Sequence, residues 1–400
     1  MIRATPDQIN PDERTELREQ VIAWRRWLHQ HPELSFQEHE TANFVEARLR
    51  EMPSLAVTRP TATSVLAVLR GEAGPGRTVL LRADMDALPI QEENTFEFAS
   101  RNPGVMHACG HDGHTAMLLG AAQVLSGDPG RLCGEVRFIF QHAEELFPGG
   151  AQQVVDAGVM DGVDVVVGTH LMSPIPTGMI VLREGPLLAA SDRFDITLQG
   201  KGGHGASPHE TVDPVVIAAQ VILAFQTVIS RQRDPLEPGV LTVAQIHGGT
   251  AGNVIPDTVT LGGTVRTFDP QLREQMPQRM EKLVRGITEG YGATYTLNYQ
   301  RGYRALHNDP GTTAILREVV RETLGSRVTL HEGKPNMGGE DFSAYLTKAP
   351  GTFILIGAGN VEQGITAPHH HPRFTVDERA LDHGVELYVA AARRLAQPLA

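Results

Sequence analysis

Two textures of apolar and polar positions alternate along the chain. Short, nearly unbroken apolar runs mark 64–69, 78–81, 136–140, 163–167 and 352–356. Runs of this length without alternation suit strands buried on both faces, as in an α/β sheet. Helical spacing covers 11–49, with a break at His31-Pro32 where proline pushes its predecessor out of helical geometry, and returns over 116–125, 312–324 and 377–395. Between about 190 and 302 the pattern becomes strand 194–198, helix 214–229, strands 240–246 and 258–267, helix 271–290 and strand 294–299. This β-α-β-β-α-β order is the split ferredoxin-like unit, which buries its own sheet face under two helices. The prediction is therefore an α/β domain formed by 1–189 and 303–400, with an α+β domain inserted at 190–302.

Polar chemistry collects where the core strands end. The run 78–81 leads into Arg82-Ala83-Asp84-Met85-Asp86. The run 136–140 ends in Gln141-His142-Ala143-Glu144-Glu145, 163–167 leads to Gly168-Thr169-His170, and 352–356 precedes Pro368-His369-His370-His371-Pro372. Sites in open α/β sheets form beyond the carboxyl ends of the strands, so these groups can converge. The densest stretch is M-H-A-C-G-H-D-G-H-T, Met106 to Thr115, directly before an apolar helix. Cys109 and His111 stand two apart in a glycine-containing turn, and the helix N-terminus following them favours a thiolate. Taken alone, the stretch fits a metal-ligand pair, a histidine-rich loop at a helix start, or a Cys109 nucleophile with a histidine base. His29 and His31 read as rim or capping residues beside the proline.

Collected, the candidate ligands are Cys109, His111, Glu145, His170 and His370, with Glu144 beside one of them. A single structural zinc takes four, so the surplus points to a pair of ions. Adjacent residues of extended chain face opposite sides, so one glutamate of the pair can ligate while the other accepts a proton from water.

Composition narrows the partners. At 400 residues the chain exceeds the usual size of one core. A formal charge of -12, with no long basic run, argues against nucleic acid and anionic membrane and leaves a small molecule. Only Cys109 and Cys133 occur, so no disulfide framework is available and a reducing cytoplasm fits best. The first ten residues are polar with no apolar run, and no stretch approaches the roughly 18 apolar residues of a membrane span.

The motifs together resemble those of the M20 metallopeptidase family, in its amidohydrolase branch of hippurate hydrolases, N-acyl-amino-acid deacylases and auxin-conjugate hydrolases. They are R-R-W-L-H-Q-H-P-E-L, R-A-D-M-D-A-L-P, M-H-A-C-G-H-D-G-H-T, Q-H-A-E-E, G-K-G-G-H-G-A-S-P-H, G-G-T-A-G-N-V-I-P-D, M-G-G-E-D-F and H-P-R-F, in that order. The resemblance implies a mixed-sheet, metallo-exopeptidase-like catalytic domain with an inserted ferredoxin-like lid and dimerisation domain. It implies that Cys109, His111, Glu145, His170 and His370 bind two divalent ions (zinc, manganese, nickel or cobalt) and that Glu144 is the general base. His370 is chosen among the terminal histidines because the branch reads Leu-His-Ser-Pro where this chain reads His369-His370-His371-Pro372. Asp84 and Asp86 are left to support the ligands. In the inserted domain His204 resembles the histidine that holds the oxyanion, in some members from the other subunit, and Asn253 and Arg266 resemble groups that hold the substrate carboxylate. The implied activity is hydrolysis of N-acyl amino acids by a cytoplasmic homodimer. A metallo-carboxypeptidase or dipeptidase, a catalytically dead metal-dependent binding protein, and a thiol hydrolase stand as alternatives.

Overall fold

A computed structural model describes residues 11–398, and the polar opening 1–10 lies outside them. The described chain forms two compact units. The first takes the chain up to Gly185, then His307–Lys334 and everything from Asp341; the second takes Pro186–Leu306 and Pro335–Glu340.

The first unit is built on an eight-stranded mixed sheet. Its order is Leu55–Thr58, Val65–Arg70, Glu135–Gln141, Thr78–Asp84, Val165–Pro176, Gly351–Gly359, Met179–Val181 and Thr329–His331. The four central strands run parallel. These are the unbroken apolar runs of the sequence, and they are unbroken because helices or loops cover both faces: every residue of Gly351–Gly359 is buried. Leu55–Thr58, Met179–Val181 and Thr329–His331 are three or four residues long and carry too little pattern to be predicted. The helix His111–Ser126 is apolar nearly all round because it is buried nearly all round, between Pro11–Gln30, Arg379–Leu395 and the sheet. The predicted break at His31-Pro32 is wider than a kink. Helix Pro11–Gln30 stops, and the next, His39–Arg50, begins only after eight residues of loop, 31–38.

At the site end of the central strands an ion network replaces apolar contacts. Arg82 is fully buried; its Nε donates to Gln141 Oε1 at 2.9 Å, Nη1 to Asp84 Oδ2 at 2.7 Å and Nη2 to Asp341 Oδ1 at 2.7 Å.

In the second unit four antiparallel strands lie in the order Gly239–His247, Thr258–Thr267, Ala190–Gln199, Thr294–Tyr303, with helices Pro214–Arg231 and Pro270–Tyr291 closing their core. Both helices start with an aspartate N-cap followed by proline: Asp213 accepts from the Val215 N–H and Asp269 from that of Leu272. The chain crosses between units at 185/186 and 306/307, four residues outside the expected 190 and 302. The segment Pro335–Glu340, assigned by sequence to the first domain, belongs to the second unit because Ala189 N–H donates to the carbonyls of Asn336 and Gly338. One further expectation is corrected. Helix Pro214–Arg231 is long and apolar enough to cross a membrane by length and composition. Its inner face, Ile217, Val221, Phe225 and Val228, is instead spent on the unit's own core.

Substituting Arg82→Ala strands Asp84 and Asp341 as buried carboxylates without their cation, which typically costs about 3–5 kcal/mol. Urea denaturation should show a loss of that order, and a change under about 1 kcal/mol would mean the network is not charged as described.

Candidate metal centre

Strand Thr78–Asp84 places Asp84 at its last position and Asp86 just beyond, and the cluster assembles around these two. Asp86, buried, takes the Glu144 N–H on Oδ1 at 3.0 Å and, on Oδ2, the Glu145 N–H at 2.9 Å and the Ser35 hydroxyl at 2.6 Å. His111 Nδ1 donates to the Asp86 carbonyl at 2.8 Å, with Oδ1 3.2 Å away. Gly110, at φ 97°, makes the left-handed turn that lets Cys109 and His111 face one point.

Cys109, His111 and His170 bring one ligand atom each within 4.8 Å of one another. The same holds for Cys109, Glu145 and His370, and for His111, Glu144 and Glu145. Cys109 Sγ lies 3.5 Å from His170 Nε2, and His370 Nε2 lies 3.1 Å from Glu145 Oε1. All six residues singled out by sequence for metal or base therefore meet in one cluster, drawn from the turn 107–111, the segment after strand Glu135–Gln141, the middle of strand Val165–Pro176 and the loop well beyond strand Gly351–Gly359. Cys109 and His170 are half-buried and His370 is exposed, so the cluster opens on one side.

The ring nitrogens separate the histidines whose second nitrogen turns into the cluster from those whose nitrogens are both spent elsewhere. His111 spends Nδ1 on Asp86 and has its Nε2 buried with no hydrogen-bond partner. His170 spends Nδ1 on the Leu171 carbonyl at 2.9 Å and presents Nε2 to Cys109. His114 has nothing left: Nδ1 donates to Asp84 at 2.6 Å, and Nε2 accepts the Leu171 N–H at 2.8 Å. His369 donates from Nε2 to the Leu171 carbonyl at 3.0 Å, whereas the neighbouring His370 faces Glu145. His107 is buried outside the cluster, beside His29. The His29 ring lies between Asp112 at 2.8 Å and Glu92 at 3.1 Å, and so helps anchor the start of the helix that carries His111.

Charge in this cluster contradicts one expectation. Burial first, then Glu145, Glu144 and Asp84, push the Cys109 thiol well above its ordinary value, so the helix N-terminus does not produce a thiolate. Against its burial, His111 is raised to about 10 by Asp84, Asp86 and Glu145. Burial, and then His114 and His369, hold His170 well below the usual imidazole range. A raised thiol beside a neutral imidazole is the reverse of the thiolate–imidazolium pair that a cysteine nucleophile needs. A buried His111 Nε2 without a hydrogen-bond partner, a second imidazole whose Nε2 meets only the Cys109 thiol, that thiol and an excess of carboxylate fit divalent cations, whose charge reverses this local balance.

The sequence did not reveal Glu38, Ser35, His114 or Asp341 as supports. Asp341 lies in M-G-G-E-D-F and His114 in M-H-A-C-G-H-D-G-H-T, so motif membership was the available signal for these two, whereas Ser35 and Glu38 lie just beyond R-R-W-L-H-Q-H-P-E-L and carried none.

In the second unit His204 pairs with Val254 in a short ladder, and Gly205 N–H donates to the Asn253 carbonyl at 2.8 Å, so His204 and Asn253 are neighbours. Both are exposed. Arg266 pairs with Ser191 at the other end of the sheet, eight residues along the strand from Thr258, which is roughly 26 Å of strand. The structure therefore joins two of these three residues and separates the third.

The sequence profile of Peptidase family M20/M25/M40 matches residues 80–394. An N-acyl-L-amino acid amidohydrolase of Geobacillus stearothermophilus is 61% identical over 293 residues, covering 73% of this chain and 79% of that protein. Thermostable carboxypeptidase 1 of Saccharolobus solfataricus is 42% identical over 374 residues, 92% of this chain and 93% of its own. A Bacillus subtilis crystal structure described as a dinuclear metal binding peptidase from the M20 family superimposes with a TM-score of 0.83 at 36% identity, covering 96% of this chain and all of that one.

Metal uptake should release protons. With His111 raised to about 10 and Cys109 higher than usual, both carry a proton at neutral pH and must lose it to ligate. Observed affinity should thus rise with pH between 6.5 and 8.5, by up to about tenfold per unit for each proton released. Calorimetry in two buffers of different ionisation enthalpy counts the protons; uptake without proton release would contradict the charge states given above.

Proposed function

Because the chain belongs to Peptidase family M20/M25/M40, we propose that it is a metal-dependent amidohydrolase that cleaves N-acyl amino acids, acetyl or benzoyl derivatives among them, into a carboxylic acid and a free amino acid. The observation that carries this reading is the convergence of Cys109, His111, Glu145, His170 and His370 around the unpartnered His111 Nε2. These five residues would hold two divalent ions, and Cys109 belongs both to the group with His111 and His170 and to the group with Glu145 and His370. When bound, the ions polarise the scissile carbonyl and acidify a water molecule. Thiolate and imidazole suit zinc, with manganese, nickel or cobalt accommodated by the carboxylates.

Glu144 accepts a proton from the attacking water and delivers it to the departing amine. Its backbone, and that of Glu145, hang from Asp86, so the two carboxylates keep a fixed relation to His111. His204 supplies a donor to the oxyanion; Asn253 and Arg266 hold the substrate carboxylate. Since about 26 Å of strand separates Arg266 from the His204 end, one copy of the second unit cannot bring all three to one small substrate. We therefore assign His204 and Asn253 to the partner copy in a homodimer. Val215, Val216 and Leu223 stand exposed on helix Pro214–Arg231, beside the edge strand Gly239–His247 with its exposed Ile246. An apolar surface next to an unpaired strand edge suits such an association. Both cysteines are free and one is a ligand, which suits a reducing cytoplasm.

The carboxypeptidase relative supports one rival, hydrolysis of short peptides by the same centre. Steady-state rates on an N-acetyl amino acid and a dipeptide with the same C-terminal residue decide between them, and both activities should vanish on chelation. Glu144→Gln should retain both metals and lose ~10²–10⁴ in kcat, while Glu145→Gln should lose metal. Equal metal loss in the two would reverse the assignment.

The subunit assignment has its own test. Separately inactive His204→Ala and Glu144→Gln chains, mixed under conditions that exchange subunits, should recover part of the wild-type rate through sites assembled from one intact half of each. Exchange without recovery would place His204 in its own chain's site.

A further inference from the structure

The loop 31–38 has no part in the reaction above, yet it reaches the segment that carries both glutamates. Among the described residues, three that are not glycine have positive φ: Phe36 at 67°, Ala143 at 50° and His370 at 63°. Alanine is disfavoured there, and it has no polar side chain with which to stabilise the turn locally. Something beyond the residue must hold it.

That hold comes from Glu38. Its Oε1 accepts the Phe36 N–H at 2.9 Å and the Ala143 N–H at 2.8 Å, so one carboxylate oxygen ties down two of the three strained residues. Glu38 is completely buried. Burial, and then Asp86, push its carboxyl up to about 7. The chain thus keeps a carboxyl group where the surroundings oppose its charge. Downstream, the next two N–H groups, of Glu144 and Glu145, go to Asp86. Three consecutive amides are held by two carboxylates, and the turn at Ala143 decides whether the second and third can reach Asp86.

We propose that Glu38 is a positioning residue that fixes Ala143 in its left-handed conformation and thereby aims Glu144 and Glu145 into the metal centre. This rests on reading those glutamates as base and ligand. Packing alone would not couple Glu38 to the conformation of residue 143, which is what the test exploits.

Full-length, metal-loaded enzyme is compared as wild type, Glu38→Ala, Glu38→Gln, Ala143→Gly and the double variant Glu38→Ala/Ala143→Gly. Misplacement of catalytic groups by an ångström costs up to ~10²-fold, so Glu38→Ala should lower kcat by ~10- to 100-fold. It should also weaken metal affinity, measured by chelator competition, and expose the Ala143 amide to hydrogen exchange. Glycine takes a positive φ without help, so the double variant should regain most of the rate and the affinity, while Ala143→Gly alone stays near wild type. Glu38→Gln, whose amide oxygen still accepts, should keep kcat within about threefold. Wild-type rate and affinity in Glu38→Ala, or a double variant as impaired as Glu38→Ala, would overturn the proposal. Should Glu38→Ala fail to fold, folding regained by the double variant supports it and continued failure overturns it. A wild-type enzyme indifferent to chelation would refute the metal reading instead, and Ala143 amide exchange would still report on the clamp.

Discussion

A single buried carboxylate, Asp86, joins the three irregular segments from which the centre is made. The loop 31–38 reaches it through the Ser35 hydroxyl, the segment after strand Glu135–Gln141 through the Glu144 and Glu145 N–H groups, and the turn 107–111 through the His111 ring. The first two lie outside any sheet or helix and the third reaches only the first residue of helix His111–Ser126, and each brings donors that would be orphaned if buried alone. Despite burial, His111, Ser35 and the Glu145 N–H hold Asp86 below the ordinary carboxylate range, so it stays ionised and accepts from all of them. The strand end supplies its position, and the acceptors of one side chain convert that position into the relative placement of Glu144, Glu145 and His111.

Holding the ligands this way concentrates negative charge. Asp84, Asp86, Glu144 and Glu145 surround Cys109 and His111, against which the chain itself sets Arg82. A helix N-terminus is equivalent to about half a positive charge. Beside Cys109 it is outweighed by three full negative charges, Glu145, Glu144 and Asp84, and the thiol rises instead of falling. Protons on Cys109 and His111 stand where cation charge belongs. The same excess of carboxylate that makes the cluster hold protons favours divalent cations, and His111 Nε2, 3.6 Å from Asp84 Oδ2, has no hydrogen-bond partner.

What the sequence made legible follows from what leaves a local mark. Core strands buried on both faces leave uninterrupted apolar runs, and ligands within a few residues of their ends inherit a predictable place. Which histidine ligates is not local. His107, His114 and His369 share their motifs with His111 and His370, but His114 is consumed by Asp84 and Leu171 and His369 donates to the Leu171 carbonyl, partners known only once the chain has folded. The pair Arg82 and Asp341 lies 259 residues apart in sequence. Glu38 and Ser35 hid in what read as a helix break, and Glu144–Glu145 read as extended chain although a left-handed residue precedes them. Charge misled most where a rule about one helix end was applied without the carboxylates that fold beside it.

The distribution of backbone strain ties these points together. Residues held at positive φ cost on the order of 1–3 kcal/mol each, and a hydrogen bond to a charged group returns about 1.5–3 kcal/mol, so such a residue persists only where a strong acceptor is aimed at it. Ala143 meets that condition through Glu38 and precedes Glu144 and Glu145, the proposed base and ligand. His370 is itself a candidate ligand, and its N–H donates to the Ala108 carbonyl at 2.8 Å, which fastens it to the turn that carries Cys109. Strain outside glycine is therefore found, among the described residues, only at and beside the cluster. An extended or helical residue at 143 would leave the Glu144 and Glu145 amides directed away from Asp86, and a helical one at 370 would turn the ring from Glu145. The parallel sheet sets strand ends at fixed spacing but cannot by itself point side chains from several segments at one spot. Left-handed residues at the loop bases accomplish that reorientation, and buried carboxylate and carbonyl acceptors keep them there.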